Sequence, residues 1–442
     1  MLRLGLCLFS AIVPCVAWAQ SGSSPSPLIE RIREKMRENL ERLPEYTCQL
    51  VVNRERRNTL EAPFAKQDTL RLEVALIAGR ERYAWRDSKF DERELSQLVG
   101  RGAIGNGDFA LHARNVFMSN AAAFDNEREV EHLGRKALQV TFRVPLESNG
   151  YRVRIPPHQA RVAFHGNFIA DLETLDVIRL EIVADDIPPQ LGLWELHDVM
   201  EYARVPVGQS DFLLPLNAEF TMVDLDGGAN RNRSEFSACR QYTAETTLSF
   251  SSQEEAIRSA EARQKQVPVN SFRETTQQSF TIPAGKRIEL TLDTEIHPEK
   301  AAIGDPVRAV LSRDLEHNGE IILPKGSVAL GRLVMREKEQ FPVHHYVVGL
   351  EFHTIQVEDR PVNFSATMID AGPEKGLIRQ SKSLDPTFDR KQRKPKLEVL
   401  VNEIRKGQGF LHWEAKQPVI EKGLKMRWVT ADESEREFSV PE

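Results

Sequence analysis

Histidines and carboxylates that fall close together along this chain are the first candidates for chemistry. His344, His345 and His353 could ligate zinc through imidazole nitrogen. They lie in a stretch with strand periodicity, where neighbouring residues point to opposite faces, so His344 and His345 are badly placed to serve one ion. Asp185 with Asp186, and Asp171 with Asp176, are carboxylate pairs of the kind that flank a glycosidic bond in a hydrolase. Ile187-Pro188-Pro189 follows the first pair directly, and solvated turns and strand ends account for both. Asp224, Asp226 and Asn230 have calcium-loop character, but Gly228 stands where a ligand is needed, and Asp226-Gly227-Gly228 reads as a hairpin turn. Gly100, Gly102, Gly105 and Gly107 are spaced like a phosphate loop, yet they follow no buried parallel strand and lack the Gly-Lys-Ser/Thr ending. The chain contains no Gly-x-Ser-x-Gly nucleophile elbow and no His-Glu-x-x-His. The expectation is therefore no catalytic residue, no metal site and no cofactor.

Aromatic side chains offer a different chemistry. Tyr83, Trp85, Phe90, Phe109, Phe117, Phe124, Phe142, Phe164, Phe168 and Trp194 crowd the first half of the chain, and most belong to a core. Tyr83, Trp85, Phe109, Phe117 and Phe124 are the candidate lining of an apolar pocket. The basic run Arg390, Lys391, Arg393, Lys394 and Lys396 is either a solvated loop or a contact for anionic headgroups or peptidoglycan.

The elements that would position these groups follow from periodicity. Ser26 suits an N-cap and Pro27 a first helical position. Residues 28–43 have one apolar face, Ile29, Ile32, Met36, Leu40 and Leu43, and Pro44 ends the helix. From Tyr46 the period becomes two. Leu70, Leu72, Val74 and Leu76 alternate, as do Leu138, Val140, Phe142 and Val144, then Ile178, Leu180 and Ile182. Strands over 199–207, 218–223 and 235–250 complete a long antiparallel meander. Alternation stops between Arg86 and Arg135, where 92–99 and 108–118 read as short helices of a flap around the glycine-rich bend. Residues 251–279 form a polar linker. A second all-β domain over 280–431 carries turn signals at Gly304-Asp305-Pro306, His317-Asn318-Gly319 and Pro324-Lys325-Gly326, which suit a small barrel. A charged loop over 370–397 interrupts it, and 432–442 is a tail.

The compartment is set by the opening residues. Arg3, the apolar run 4–13 and Ala17-Trp18-Ala19 have the form of a cleavable export signal over 1–19, followed by a Ser/Pro/Gly linker over 20–27. The product would be periplasmic or extracellular, without a transmembrane segment. With 442 residues, two or three domains are expected. The formal net charge is −6, and about −7 without Arg3, which argues against nucleic-acid binding. Cys7 and Cys15 leave with the signal. Cys48 and Cys239 then form a disulfide in an oxidising compartment, or stay as two buried thiols.

Three resemblances add to this reading. Ile282-Pro283-Ala284-Gly285, Gly304-Asp305 before Val307 and Ala309, the block Ile321-Ile322-Leu323-Pro324-Lys325-Gly326-Ser327, and Gly331-Arg332 resemble the β-barrel domain of TrbI-type conjugation-channel proteins. That resemblance implies a barrel able to assemble into a ring. Residues 28–250 are similar in pattern to the lipoprotein-carrier (LolA-like) architecture, which implies a helix and a curved sheet around an apolar cavity. Leu43-Pro44-Glu45-Tyr46-Thr47-Cys48 and Cys239-Arg240-Gln241-Tyr242 resemble secreted acidobacterial-type proteins of unknown function. The expected fold is mainly β with minor α: an N-terminal helix on a curved antiparallel sheet, then a small barrel. The expected function is a non-enzymatic binding protein that holds a lipid or acyl chain in the first domain and docks an envelope protein through the second. The alternatives are a self-assembling secretion scaffold and an envelope hydrolase.

Overall fold

The computed structural model describes residues 25–242 and 282–431, apart from 87, 91–94, 100–102, 106, 149–150, 156, 341–342, 358–359 and 379–405. The expected signal, residues 20–24 of the first linker, the 251–279 linker, the basic run and the tail lie outside the described residues, whereas residues 26 and 27, expected as the end of the first linker, cap and begin the first helix. Helix α1 (Pro27–Arg42) starts where the sequence indicates. The Ser26 hydroxyl accepts from the Ile29 N–H, and Ile29, Ile32, Met36 and Leu40 are buried. Among the described residues, no helix is long and apolar enough to cross a membrane.

The first sheet has ten antiparallel strands in two arms. One arm is β1 (Tyr46–Arg57), β2 (Ala65–Ile77) and β3 (Arg80–Trp85). The other is β4 (Ala123–His132), β5 (Arg135–Val144), β8 (Ala163–Asp171), β9 (Val177–Asp185), β10 (Leu193–Val207), β11 (Ser210–Asp224) and β12 (Ala229–Gln241). A separate hairpin, β6 (Arg152–Ile155) with β7 (His158–Arg161), is inserted before β8. The arms meet where β12 pairs with β1, so the spatial order runs β3-β2-β1-β12-β11-β10-β9-β8-β5-β4. The meander is therefore closed back on its own first strand. Asp226-Gly227-Gly228 makes the β11–β12 turn, with Asp226 accepting from the Gly228 N–H.

Several strand boundaries differ from expectation: β11 begins at Ser210 and β12 at Ala229, ahead of the expected 218 and 235. β4 falls where no strand was expected, because half of its ten residues, Ala-Phe-Asp-Asn-Glu-Arg-Glu-Val-Glu-His, are charged and its apolar ones do not alternate. It is an edge strand with most residues exposed, and charge on an edge discourages pairing with other chains. β10 begins six residues before the expected position 199, and it carries Leu196 and Asp198 on the same face as Met200 and Tyr202.

Cys48 and Cys239 are disulfide-bonded, with Cα atoms 4.1 Å apart and a sequence separation of 191. They sit at the β1–β12 seam, where the register shifts between Thr47 and Gln49 and Ala238 adopts a φ of 48°. That bulge turns both sulfurs to one side of the ladder.

The second sheet comprises β13 (Arg287–Leu292), β14 (Pro306–Leu311), β17 (Val328–Glu339), β18 (His345–Val357), β19 (Arg360–Asn363), β20 (Ala366–Ala371), β21 (Gly409–Glu414) and β22 (Lys425–Thr430). A two-stranded hairpin, β15 (Leu315–His317) with β16 (Glu320–Leu323), stands beside it. Its order is β19-β18-β17-β14-β13-β22-β20, with β21 on β18. Trp413, Trp428, Phe352 and Phe364 fill the interior. The sheet curls until β20 and β21 meet through the Met368 N–H and the Gln408 carbonyl, 3.1 Å apart. No ladder joins those strands among the described residues, so the curled sheet stays open.

The two sheets are joined at an overhang. β3 covers only residues 72–77 of β2, and Ile303 pairs with the edge left free. The Arg71 N–H donates to Ile303 O and the Ile303 N–H to Thr69 O, both at 2.8 Å. Gly304 is required there: its φ is 99°, and a Cβ would stand 2.2 Å from Arg71 O.

Cross-linking Cys48 to Cys239 closes a loop of 191 residues, worth roughly 5 kcal/mol in the chain-entropy model. The Cys48→Ser/Cys239→Ser variant is expected to lose about 2–5 kcal/mol of unfolding free energy. Urea denaturation of the oxidised protein and the variant checks this.

Candidate functional site

Charge is rare on the concave face of the first sheet, and where it occurs it is concentrated. Strand alternation puts Asp198 of β10 in the buried phase between Leu196 and Met200, with 2% of its surface exposed. Across that face runs the segment leading into α3 (Leu111–Phe117), with α2 (Leu95–Leu98) before it. The Ala103 carbonyl accepts from the Asn232 amide at 3.1 Å, and Gly105 lies against the Phe220 ring. Asp108 and His112 then come down onto Asp198. Both are buried, at 6% and 3% exposure.

His112 Nε2 is 3.7 Å from Asp108 Oδ1 and 3.7 Å from Asp198 Oδ2. Neither separation is a hydrogen bond. Both ring nitrogens of His112, Asp108 Oδ1 and the Tyr202 hydroxyl are buried without a hydrogen-bond partner. The Tyr151 hydroxyl donates to Asp198 Oδ2 at 2.8 Å, and its ring meets the His112 ring edge-on at 5.0 Å. Burial, and then the charge of Asp198, pushes the Asp108 carboxyl well above the usual carboxylate range. Burial likewise raises Tyr151, with the Asp198 charge adding to it, and raises Tyr202, with Asp108 adding to it.

Glu81 of β3 holds this segment in place. Its carboxylate accepts from the N–H groups of Gly107, Ala110 and Leu111 at 2.9, 2.8 and 3.1 Å, and from the Tyr83 hydroxyl at 2.7 Å. These backbone donors surround the start of α3, where the first turn has no acceptors of its own. Gly107 has a φ of 108°, and a Cβ there would stand 2.8 Å from His112 Nε2, so glycine is needed both for the turn and for the approach.

The aromatic candidates are all buried but divide among four places. Phe117 and Phe124 both pack on Phe168, at 5.4 and 6.0 Å between ring centroids, and the Arg33 guanidinium of α1 lies over Phe124. Phe109 packs between Tyr46 and Phe236. Tyr83 is engaged by Glu81, while Trp85 faces the second sheet, 5.8 Å from the Arg332 guanidinium. Phe142 and Phe164 join the Phe124 and Phe168 group. Trp194 is not core: it is 73% exposed.

The other candidates separate. His345 is fully buried and faces His412, with Nε2 and Nδ1 3.1 Å apart, because β18 pairs with β21. His353 turns instead to the Thr354 hydroxyl, and His344 is exposed. Asp171 accepts from the Thr174 and Glu173 N–H groups, which lower its pKa. Burial opposes ionisation of Asp176, but hydrogen bonds from Arg204 and Lys35 outweigh it and its pKa falls. Asp185 pairs with His165 at 2.6 Å, and Asp186 occupies a positive-φ turn position.

Asp108, His112, Asp198 and Glu81 were not selected in the sequence reading. Two signals for them exist: the i,i+4 spacing of Asp108 and His112 at a helix start, and an aspartate in the apolar phase of Leu196-x-Asp198-x-Met200.

No protein-family model and no curated protein matches this sequence. Two solved structures are similar. One is an outer membrane lipoprotein-sorting protein domain from Vibrio parahaemolyticus, with a TM-score of 0.28 and 10% identity, covering 52% of this chain and 96% of that one. The other is a DUF1329 family protein from Desulfovibrio piger, with a TM-score of 0.29 and 7% identity, covering 50% of this chain and 95% of that one.

Replacing Glu81 strands three backbone donors and a tyrosine hydroxyl. Glu81→Ala is expected to cost about 2–4 kcal/mol and to raise amide exchange selectively over 107–117. Hydrogen-exchange mass spectrometry resolves that segment. Burial, and then the charge of His345, pushes His412 down to about 4. Below its ordinary pKa of about 6.5 the unfolded chain takes up a proton that the folded chain refuses. Stability is therefore lost as pH falls from about 6.5 to about 4. The loss is expected to be smaller in His412→Gln, as urea midpoints across that range would show.

Proposed function

We propose that the first sheet and its helical cover hold an apolar ligand, a lipid or an acyl chain, in an exported, non-enzymatic carrier. The observation that carries this reading is how the cover is seated. Among the described residues, those between 95 and 118 add no strand to the sheet. They rest on its concave face through Phe109 and Phe117 against Tyr46, Phe236 and Phe168, and are tied to the edge arm by Glu81. Displacing them would uncover an aromatic trough running from Tyr46 and Phe236 to Phe168, Phe142 and Phe164. Gly105 and Gly107 lie within the cover, ahead of α3, and suit such a displacement. A disulfide at the sheet seam fits an oxidising compartment, in keeping with the export signal read at 1–19. The LolA-like resemblance of 28–250 points the same way. The second sheet, fixed to β2 through Ile303, would present the loaded carrier to an envelope partner.

Organic extraction and mass spectrometry of the purified protein should find co-purified lipid. A fluorescent fatty-acid probe should bind saturably, and Phe168→Ala should weaken it about tenfold, the effect of losing ~1.5 kcal/mol of apolar contact. Absence of both bound lipid and saturable probe binding would refute the reading. A stable ring of subunits in light scattering would favour a TrbI-type scaffold in its place.

A further inference from the structure

We propose that Asp108, His112 and Asp198 bind one divalent transition-metal ion, zinc by preference, and that the ion clasps the helical cover to β10. The three donor atoms lie within 4.8 Å of one another, and all three side chains are buried. One imidazole and two carboxylates are a nitrogen–oxygen donor set of the kind zinc accepts, and the two carboxylates balance the charge of the ion.

Geometry separates this site from a simple polar network. In such a network the imidazole would donate to one carboxylate at hydrogen-bond distance. Here His112 Nε2 stands 3.7 Å from both acceptors, and Nδ1 has no partner either. Ligands at 2.0–2.1 Å around a tetrahedral ion are separated by roughly 3.3 Å, so each of the two His112–carboxylate edges needs to close by only about 0.4 Å, and the two carboxylates start within 4.8 Å of each other. A gap too long for a hydrogen bond thus matches the edge of a coordination polyhedron.

The surroundings also suit an ion. Tyr151 donates to Asp198 Oδ2, leaving that oxygen a second lone pair, and such outer hydrogen bonds orient metal-ligating carboxylates. The Glu81 carboxylate, gripping the N–H groups of Gly107, Ala110 and Leu111, fixes the backbone on either side of Asp108 and just before His112. Two ligands belong to the cover and the third to the sheet. The ion therefore bridges two elements that share no ladder, and a fourth position remains for a water molecule. This inference stands apart from the carrier reading, since a metal clasp needs no apolar ligand.

The test uses the full exported chain, purified without an affinity histidine tag, with metal content measured by plasma mass spectrometry. Wild type is expected to carry or take up about one zinc per chain. After chelator treatment, added Co2+ should give visible d–d bands, and added Zn2+ should raise the melting temperature by several degrees, roughly the effect of saturating a tight site. His112→Ala and Asp198→Asn should each cut uptake at least about tenfold, as lost ligands do. Should either variant fail to fold, the Co2+ spectrum and the zinc-dependent melting of wild type decide the matter alone. Stripped wild type that stays folded and takes up neither Zn2+ nor Co2+ overturns the proposal. So would undiminished uptake in a folded His112→Ala protein.

Discussion

The pairing of β1 with β12 is the constraint on which the rest depends. It joins the beginning and the end of the first sheet, from Tyr46 opposite Gln241 to Arg57 opposite Ala229. Without it the sheet would be two separate arms, each with an unsatisfied edge and half a concave face. Such a contact is entropically expensive, because nearly two hundred residues must be closed into a loop before the first ladder bond forms. The disulfide beside the bulge at Ala238 removes most of that expense from the folding equilibrium.

Once the seam exists, the concave face is continuous and must be covered. Among the described residues one long helix serves this, and α1 covers only part of the face. The segment before β4 covers more of it, with few regular hydrogen bonds of its own. Its backbone donors need acceptors, and Glu81 supplies one for three of them. Placing Asp108 and Asp198 together beneath this cover goes against ordinary burial energetics, because two carboxylates in a low-dielectric site resist sharing their charge. The Tyr151 hydroxyl on Asp198 and the raised pKa of Asp108 meet part of that cost, while the imidazole between the two carboxyls is left without a hydrogen-bond partner.

Attachment of the second sheet follows from the same arm. β2 is longer than β3, and the exposed stretch of its edge is a ready template for another strand. Ile303 fills it, Arg336 donates to the Gln67 carbonyl nearby at 3.0 Å, and Arg71 forms an ion pair with Asp305. The open edge is thus used for an internal junction. It also draws Trp85 away from the other aromatic candidates, although sequence proximity to Tyr83 grouped them.

Much of this architecture could be read from local chemistry. The Ser26 cap and the apolar stripe of α1, the period-two runs, the turn at Asp226-Gly227-Gly228 and the pairing of the two remaining cysteines all depend on residues near one another or on simple counting. β4 escaped because an edge strand buries too little to leave an apolar phase. The partner of His345 was hidden for another reason: His412 lies 67 residues away and arrives beside His345 only through β21. The sequence by itself determined which faces are apolar, where the chain turns and which elements exist, because backbone periodicity and steric preference act within a few residues. The tertiary structure alone decided that Asp198 meets Asp108 and His112, that Ile303 completes the edge of β2, and that the second sheet curls without closing. Those contacts join residues tens to hundreds of positions apart, and only the register of the packed sheets brings them within reach.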